Sequence, residues 1–213
     1  MKTDELVTML ATRAGAVDAL SGVRRYAMAI GWGALGATLL MAILLGVRPD
    51  LAQAILLPMF WVKLGYVGCL AAVSVLAATR LSIPGARLGA LPGVLAAPLL
   101  AMWAVAAVVL LRANPAEREP LFFGQTWTSC PLLIALLSVP VFVAIFWAMK
   151  GLAPTRLRVA GATGGFASGA IAAVVYSLHC PELAAPFIGF WYLLGVLIPT
   201  AAGALLSVRL LRW

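Results

Sequence analysis

The chain has 213 residues, of which 64% are hydrophobic and only 10% charged, and its net charge is +8. A water-soluble domain carries about 25% charged residues, and a chain this short still exposes much of its surface. The missing charge therefore excludes an ordinary soluble domain and implies a bilayer as solvent. The basic excess is not a nucleic-acid signature, because Lys and Arg stand at the ends of apolar runs, where membrane proteins keep their topology signals. No direct nucleic-acid binding is expected.

Residues 1–26 form the first unit, a cytoplasmic amphipathic segment. Asp4 and Glu5 lie in the start of the chain, and the first long apolar run begins only near Ala27, so no cleaved signal peptide is expected. Thr3 is placed to cap a helix, with Asp4 and Glu5 at its positive end. Leu6, Met9, Leu10, Arg13, Val17 and Leu20 then recur at helical spacing. Such a helix either lies on a membrane or docks into a partner's groove. Its mixed charge, with Asp4, Glu5 and Asp18 against Lys2 and Arg13, tilts the choice toward a protein partner.

Residues 27–213 form the second unit. A membrane span needs roughly 20 apolar residues, and six runs qualify: 27–47, 60–79, 88–111, 130–149, 159–178 and 187–206. Leu51 to Met59 is expected at the interface. Arg80 to Arg87 and Lys150 to Arg158 are basic turns, and Arg112 to Glu119 is the most charged connection. Leu121 to Ser129 holds Phe122, Phe123 and Trp127, which suit the headgroup level. The fold expected is an all-α bundle of six transmembrane helices, embedded in a lipid bilayer. An even number of crossings puts both ends on one side. That side carries 11 Lys and Arg against 4 on the other, so both termini are expected in the cytoplasm.

Few residues in these runs carry chemistry. Lys63 is the only charged one, beside Phe60, Trp61 and Tyr66, and is expected to snorkel its ammonium to the interface. No run has Asp, Glu or His at its centre, which argues against a transporter or pump. HExxH, a phosphate-binding loop and GxSxG are all absent, so no enzyme is expected. Cys69 reads as a small buried core residue. Cys130 opens the fourth run and Cys180 follows the fifth, which places both on the outer side. Three readings of that pair stay open: a structural disulfide, a redox- or metal-responsive thiol pair, and two unrelated cysteines. His179, the only histidine, would add a nitrogen to the two sulfurs. Cys130, His179 and Cys180 are thus the candidate metal set, for a transient heavy-metal ion and not a resident cofactor. Gly161, Gly165 and Gly169, with Gly164, give the fifth run a smooth face, for packing inside the bundle or for a homodimer.

Several segments together resemble a known family: Lys2-Thr3-Asp4-Glu5-Leu6, Arg48-Pro49-Asp50-Leu51, Phe60-Trp61-Val62-Lys63-Leu64, Cys130, His179-Cys180-Pro181-Glu182, Trp191 and Arg209-Leu210-Leu211-Arg212-Trp213. The resemblance is to the NrsF family, six-span inner-membrane negative regulators of extracytoplasmic-function sigma factors in Gram-negative bacteria. It implies a membrane-bound anti-sigma factor whose N-terminal segment, including Asp4, Glu5 and Leu6, holds a sigma factor. It also implies that Cys130 and Cys180 sense heavy-metal or oxidative stress outside and trigger release. The other reading is a membrane redox or soft-metal-handling protein that uses the same Cys and His residues.

Overall fold

The computed structural model describes residues 3–13, 21–83, 85–152 and 154–212, and every regular element among them is helical. In chain order these are α1 (Thr3–Arg13), α2 (Ser21–Leu44), α3 (Leu51–Ala54), α4 (Pro58–Leu81), α5 (Leu91–Arg112), α6 (Pro115–Phe123), α7 (Cys130–Lys150) and α8 (Leu157–Tyr176). The last span is built from α9 (Ala185–Phe187), a π-helical turn (Ile188–Tyr192) and α10 (Leu193–Leu210).

Among the described residues six helices are long and apolar enough to cross a membrane: Gly22–Leu44, Pro58–Leu81, Leu91–Arg112, Cys130–Lys150, Leu157–Tyr176 and Ala185–Leu210. Their ends follow from local chemistry. Proline stands in the first turn of α4, α5, α6, α7 and α9, where its missing N–H costs nothing. Gly46, at φ +74°, turns the chain out of α2. The largest departure from the expected boundaries is at the start of α2. Residues 21–26, assigned above to the cytoplasmic segment, are its first turns, and within them Tyr26 is buried, sharing a 2.6 Å hydrogen bond with Ser82.

The bundle is arranged around α8, which packs against α10, α4 and α7. Of its span 72% is buried, against 11% for α5 at the edge. Small residues make this possible. A Cβ on Gly165 would run into the Pro199 carbonyl, one on Gly161 into the Gly203 carbonyl and Ser207, and one on Gly169 into the Val196 backbone. This glycine face is therefore used inside the chain, against α10, and none of it is left for a second copy. Gly164 faces α7 instead, against Met149 and Ile145. On the opposite flank α2 lies along α7, with Gly33 against Val141 and Gly36 against Pro140.

Candidate functional site

The ends of α7 and α8 that carry the two cysteines meet. Cys130 is the first residue of α7, and its amide donates to the Thr126 carbonyl at 2.8 Å. At the far end of α8 the chain leaves the helix through Ser177, and the Cys180 amide donates to the Tyr176 carbonyl at 3.0 Å. The helices are antiparallel neighbours, so Cys130 and Cys180 come together as two free, fully buried thiols. Their side chains hydrogen-bond to each other. The hydroxyls of Tyr176 and Tyr192 face the same two sulfurs.

Lys63 corrects the sequence expectation. It does not snorkel outward but is 0% exposed. Its ammonium donates to the carbonyl oxygens of Cys180 and Glu182, both at 3.0 Å, and lies 5.0 Å from the centre of the Tyr192 ring. The reason lies in the register of α4, whose inward face carries Phe60, Lys63, Tyr66, Val67 and Leu70. The carbonyls of the 180–182 loop replace the water a snorkelling ammonium would have reached. Cys69 is the opposite correction: it is exposed and lies with Val62 and Gly65 on the outer face of α4, lining a groove against Pro98 and Val105 of α5.

The same loop is pinned from every other side. Arg48 donates a side-chain bond to the Cys180 carbonyl at 3.3 Å, and its backbone amide donates to Leu178 at 3.2 Å. Asp50 holds the guanidinium through both oxygens, at 2.7 and 2.6 Å. That pairing keeps the Asp50 carboxyl below the usual carboxylate range and raises Arg48 further. Glu182 accepts from the Gln125 amide at 2.8 Å and packs over Gly124, whose φ of +55° and missing Cβ leave room for the carboxylate. His179 shares a 2.9 Å hydrogen bond with the Gly46 carbonyl through Nδ1 and packs beside Tyr176. Above the loop, Phe122, Phe123, Trp127, Phe190 and Trp191 form one aromatic cluster, and the Trp191 indole donates to the Phe122 carbonyl at 2.9 Å.

Chemically this is a dithiol in a tight cationic setting. Cys180 is held below the usual thiol range, first by the hydrogen bond from Cys130 and, against the effect of burial, by the charge of Lys63. Among the described residues no set of three or more His, Cys, Asp or Glu side chains is grouped to hold a metal ion. Thus the structure brings Cys130 and Cys180 together but does not gather His179 with them into a three-ligand set.

A family model described as NrsF, negative regulator of sigma F, matches residues 10–213. The chain belongs to the NrsF family. It is 64% identical to a probable anti-sigma-F factor NrsF of Azospira oryzae and 40% identical to the anti-sigma-F factor NrsF of Caulobacter vibrioides, over the full length of each chain. No solved structure matches. The family is regulatory rather than catalytic, in line with the absence of enzyme motifs noted above.

The other expected site is the N-terminal helix. α1 presents Asp4, Glu5, Thr8, Met9 and Thr12 on its exposed surface, together with Val7. Thr8 and Thr12 fold their hydroxyls back onto the carbonyls of Asp4 and Thr8, at 2.8 and 2.9 Å. Thr3 is the first residue of α1 and not the residue that precedes it. The side chains of Leu6, Leu10 and Arg13, and the whole of Val17, Asp18 and Leu20, lie outside the described residues, as does Lys2. Sequence reasoning missed Arg48, Tyr176 and Tyr192 as parts of the thiol site. Lys63 was visible as an ionisable residue inside an apolar run, which is by default a functional position.

Proposed function

We propose that this chain is a membrane-bound anti-sigma factor that captures its sigma factor with the N-terminal segment and releases it when Cys130 and Cys180 are oxidised. The observation that carries the reading is the contact between two buried thiols, Cys130 and Cys180, at the end of the bundle remote from the start of α2. Two relatives bear the name anti-sigma-F factor, which supports a sigma factor as the partner, and the resemblance above points to one of the extracytoplasmic-function class. The basic bias of the connections supports a topology with both termini in the cytoplasm and the thiols on the outer face of the inner membrane. α1 exposes the apolar side chains Val7 and Met9 together with the acidic Asp4 and Glu5, which suits a protein partner. Oxidation is favoured over metal capture because the two thiols are hydrogen-bonded neighbours, whereas among the described residues no third ligand is gathered beside them.

A route across the bundle supports the reading. Cys130 heads α7, and the far end of α7 grips α2 just beyond the N-terminal segment. There the Arg25 guanidinium lies 4.3 Å from the centre of the Trp147 ring and donates to the Trp147 carbonyl at 3.0 Å. A movement of Cys130 is thereby offered to the root of the sigma-binding segment. Coupling of about 1–3 kcal/mol would change sigma affinity about 5- to 150-fold.

Co-expression with the cognate sigma factor, followed by membrane fractionation, tests the function. Sigma is expected in the membrane fraction with the natural chain and in the soluble fraction with Met9→Asp combined with Asp4→Lys. A hydroperoxide is expected to release it from the natural chain but not from Cys130→Ser/Cys180→Ser. Sigma that stays soluble with the natural chain refutes the anti-sigma reading, and release from the double serine variant refutes the sensor.

A further inference from the structure

Among the described residues no carboxylate pairs with the buried charge of Lys63. An ammonium has three N–H donors, and two of them go to the carbonyls of Cys180 and Glu182. The third is left for the Cys180 side chain, with which Lys63 also hydrogen-bonds. The two nearby acids are taken: Asp50 by Arg48, and Glu182 by the Gln125 amide. Arg48 adds a second positive charge within hydrogen-bonding reach of the Cys180 carbonyl. The Tyr192 hydroxyl is buried, faces Cys180 and has no hydrogen-bonding oxygen or nitrogen among the described residues. A buried cation without a counter-charge is costly, and the one group here able to supply that charge is a sulfur.

We propose that Lys63 is the positioning residue for the Cys180 sulfur: it holds that sulfur as the anion of the pair, so that Cys180, and not Cys130, reacts first with a hydroperoxide. This deepens the sensor reading above and rests on it. The competing argument favours Cys130, because it is the first residue of α7 and a helix N-terminus also stabilises a thiolate. The donors decide between them. The groups facing Cys180 are Lys63 from α4, Arg48 from the connection after α2, Cys130 from α7, Tyr176 from α8 and Tyr192 from the π-helical turn. Each of them brings an N–H, O–H or S–H and none brings a carboxylate. The chemistry that follows is balanced. The Cys180 thiolate attacks the outer oxygen of the hydroperoxide, the O–O bond breaks, and the alkoxide leaves and takes up a proton. The Cys130 thiol then attacks the resulting sulfenic acid, forming the S–S bond and releasing water. Two electrons pass from the thiols to the peroxide.

The order of reaction is measurable on the full chain in lipid nanodiscs, without any sigma factor. Brief labelling with iodoacetamide between pH 5 and 9, read by peptide mass spectrometry, reports Cys130 and Cys180 separately, and separately from exposed Cys69. Both sulfurs are fully covered and touch each other, so they need the same opening and it cancels from their ratio. Cys180 is expected to label about tenfold faster than Cys130 near pH 6.5, with a midpoint below that of a free thiol, about 8.5. Lys63→Met should abolish the preference and raise the midpoint, whereas Lys63→Arg should keep both. Cys130→Ala removes the Cys130 hydrogen bond and leaves Lys63 in place, so there Cys180 should still titrate below a free thiol. Cys130 labelling first, Lys63→Met labelling like the natural chain, or an ordinary midpoint in Cys130→Ala would each overturn the proposal. These outcomes leave sigma capture untouched, and failed sigma capture leaves the labelling order untouched.

Discussion

Along α8 the chain closes its interior in two different ways. From Gly161 to Gly169 it packs close to the α10 backbone, with Gly161 against the Gly203 carbonyl and Ser207, Gly165 against the Pro199 carbonyl, and Gly169 against the Pro199 ring and the Val196 backbone. Beyond Tyr176 the same helix runs into a region packed with charge and hydrogen bonds, where Lys63 and Arg48 grip the carbonyls of the Cys180 loop. The first solution has little freedom to give, since a Cβ on Gly161 or Gly165 strikes a carbonyl of α10. The second is held by a handful of polar contacts, each breakable alone. A relay needs both: a rigid seam that moves as a body, and an end whose state chemistry can change. Bundles without water inside lack a hydrophobic drive between helices and rely on such close contact and on hydrogen bonds.

The sharpest way to break the comparison is at Gly165. Gly165→Ala places a Cβ into the Pro199 carbonyl, a backbone atom that cannot swing aside. We expect a loss of about 3 kcal/mol or more, the upper part of the overpacking range, seen as a lower thermal midpoint of the detergent-solubilised chain. An unchanged midpoint would mean that α8 and α10 are not in backbone contact.

The contrast also explains which features could be read from the sequence. The seam was legible, because Gly161, Gly165 and Gly169 recur every four residues and need no knowledge of the partner helix. The spans were legible for a similar local reason, as apolar runs bounded by Arg48-Pro49-Asp50 or Lys150. The Cys130 and Cys180 meeting was visible in two of the three readings left open, because the outer ends of consecutive antiparallel spans can be neighbours. The burial of Lys63 was not legible. A snorkelling lysine and a buried one look alike in sequence, and what separates them is the 180–182 loop, brought in from 117 residues away. Cys69 failed for the same reason, since an apolar run around a membrane helix does not say which face meets lipid. The helix of α2 begins before its apolar run at Ala27, because Arg25 finds a place on the Trp147 ring that hydropathy does not register.

A smaller effect is expected at the polar end, where the comparison can be sharpened without touching a sulfur. Asp50 anchors Arg48, and Arg48 in turn anchors the loop through Leu178 and Cys180. The Asp50 carboxyl is depressed by that pairing, so its contribution is complete at neutral pH and is lost as pH falls through a value below the usual one of about 3.9. Amide-exchange protection of Arg48 should therefore hold from pH 7 to pH 5 and decline only under strongly acidic conditions. Asp50→Asn should lower that protection at pH 7 by a factor of a few, in keeping with a partly exposed pair. Equal protection in both proteins would show that the loop carbonyls alone hold Arg48.

The smallest effect separates close approach from glycine as such. Gly31 and Gly33 stand two residues apart on α2, but a Cβ on Gly31 meets nothing within 4 Å, whereas one on Gly33 lies 2.8 Å from the Val141 Cα. Both residues cost helix propensity in the same way, by up to about 1 kcal/mol relative to alanine. Gly31→Ala should thus leave the thermal midpoint unchanged or raise it slightly, while Gly33→Ala should lower it by displacing α7, the helix that Cys130 heads. If both substitutions stabilise the chain, then α2 and α7 have room to spare. In that case the contact between Arg25 and Trp147, and not the glycine face of α2, would have to carry any movement from Cys130 toward the N-terminal segment.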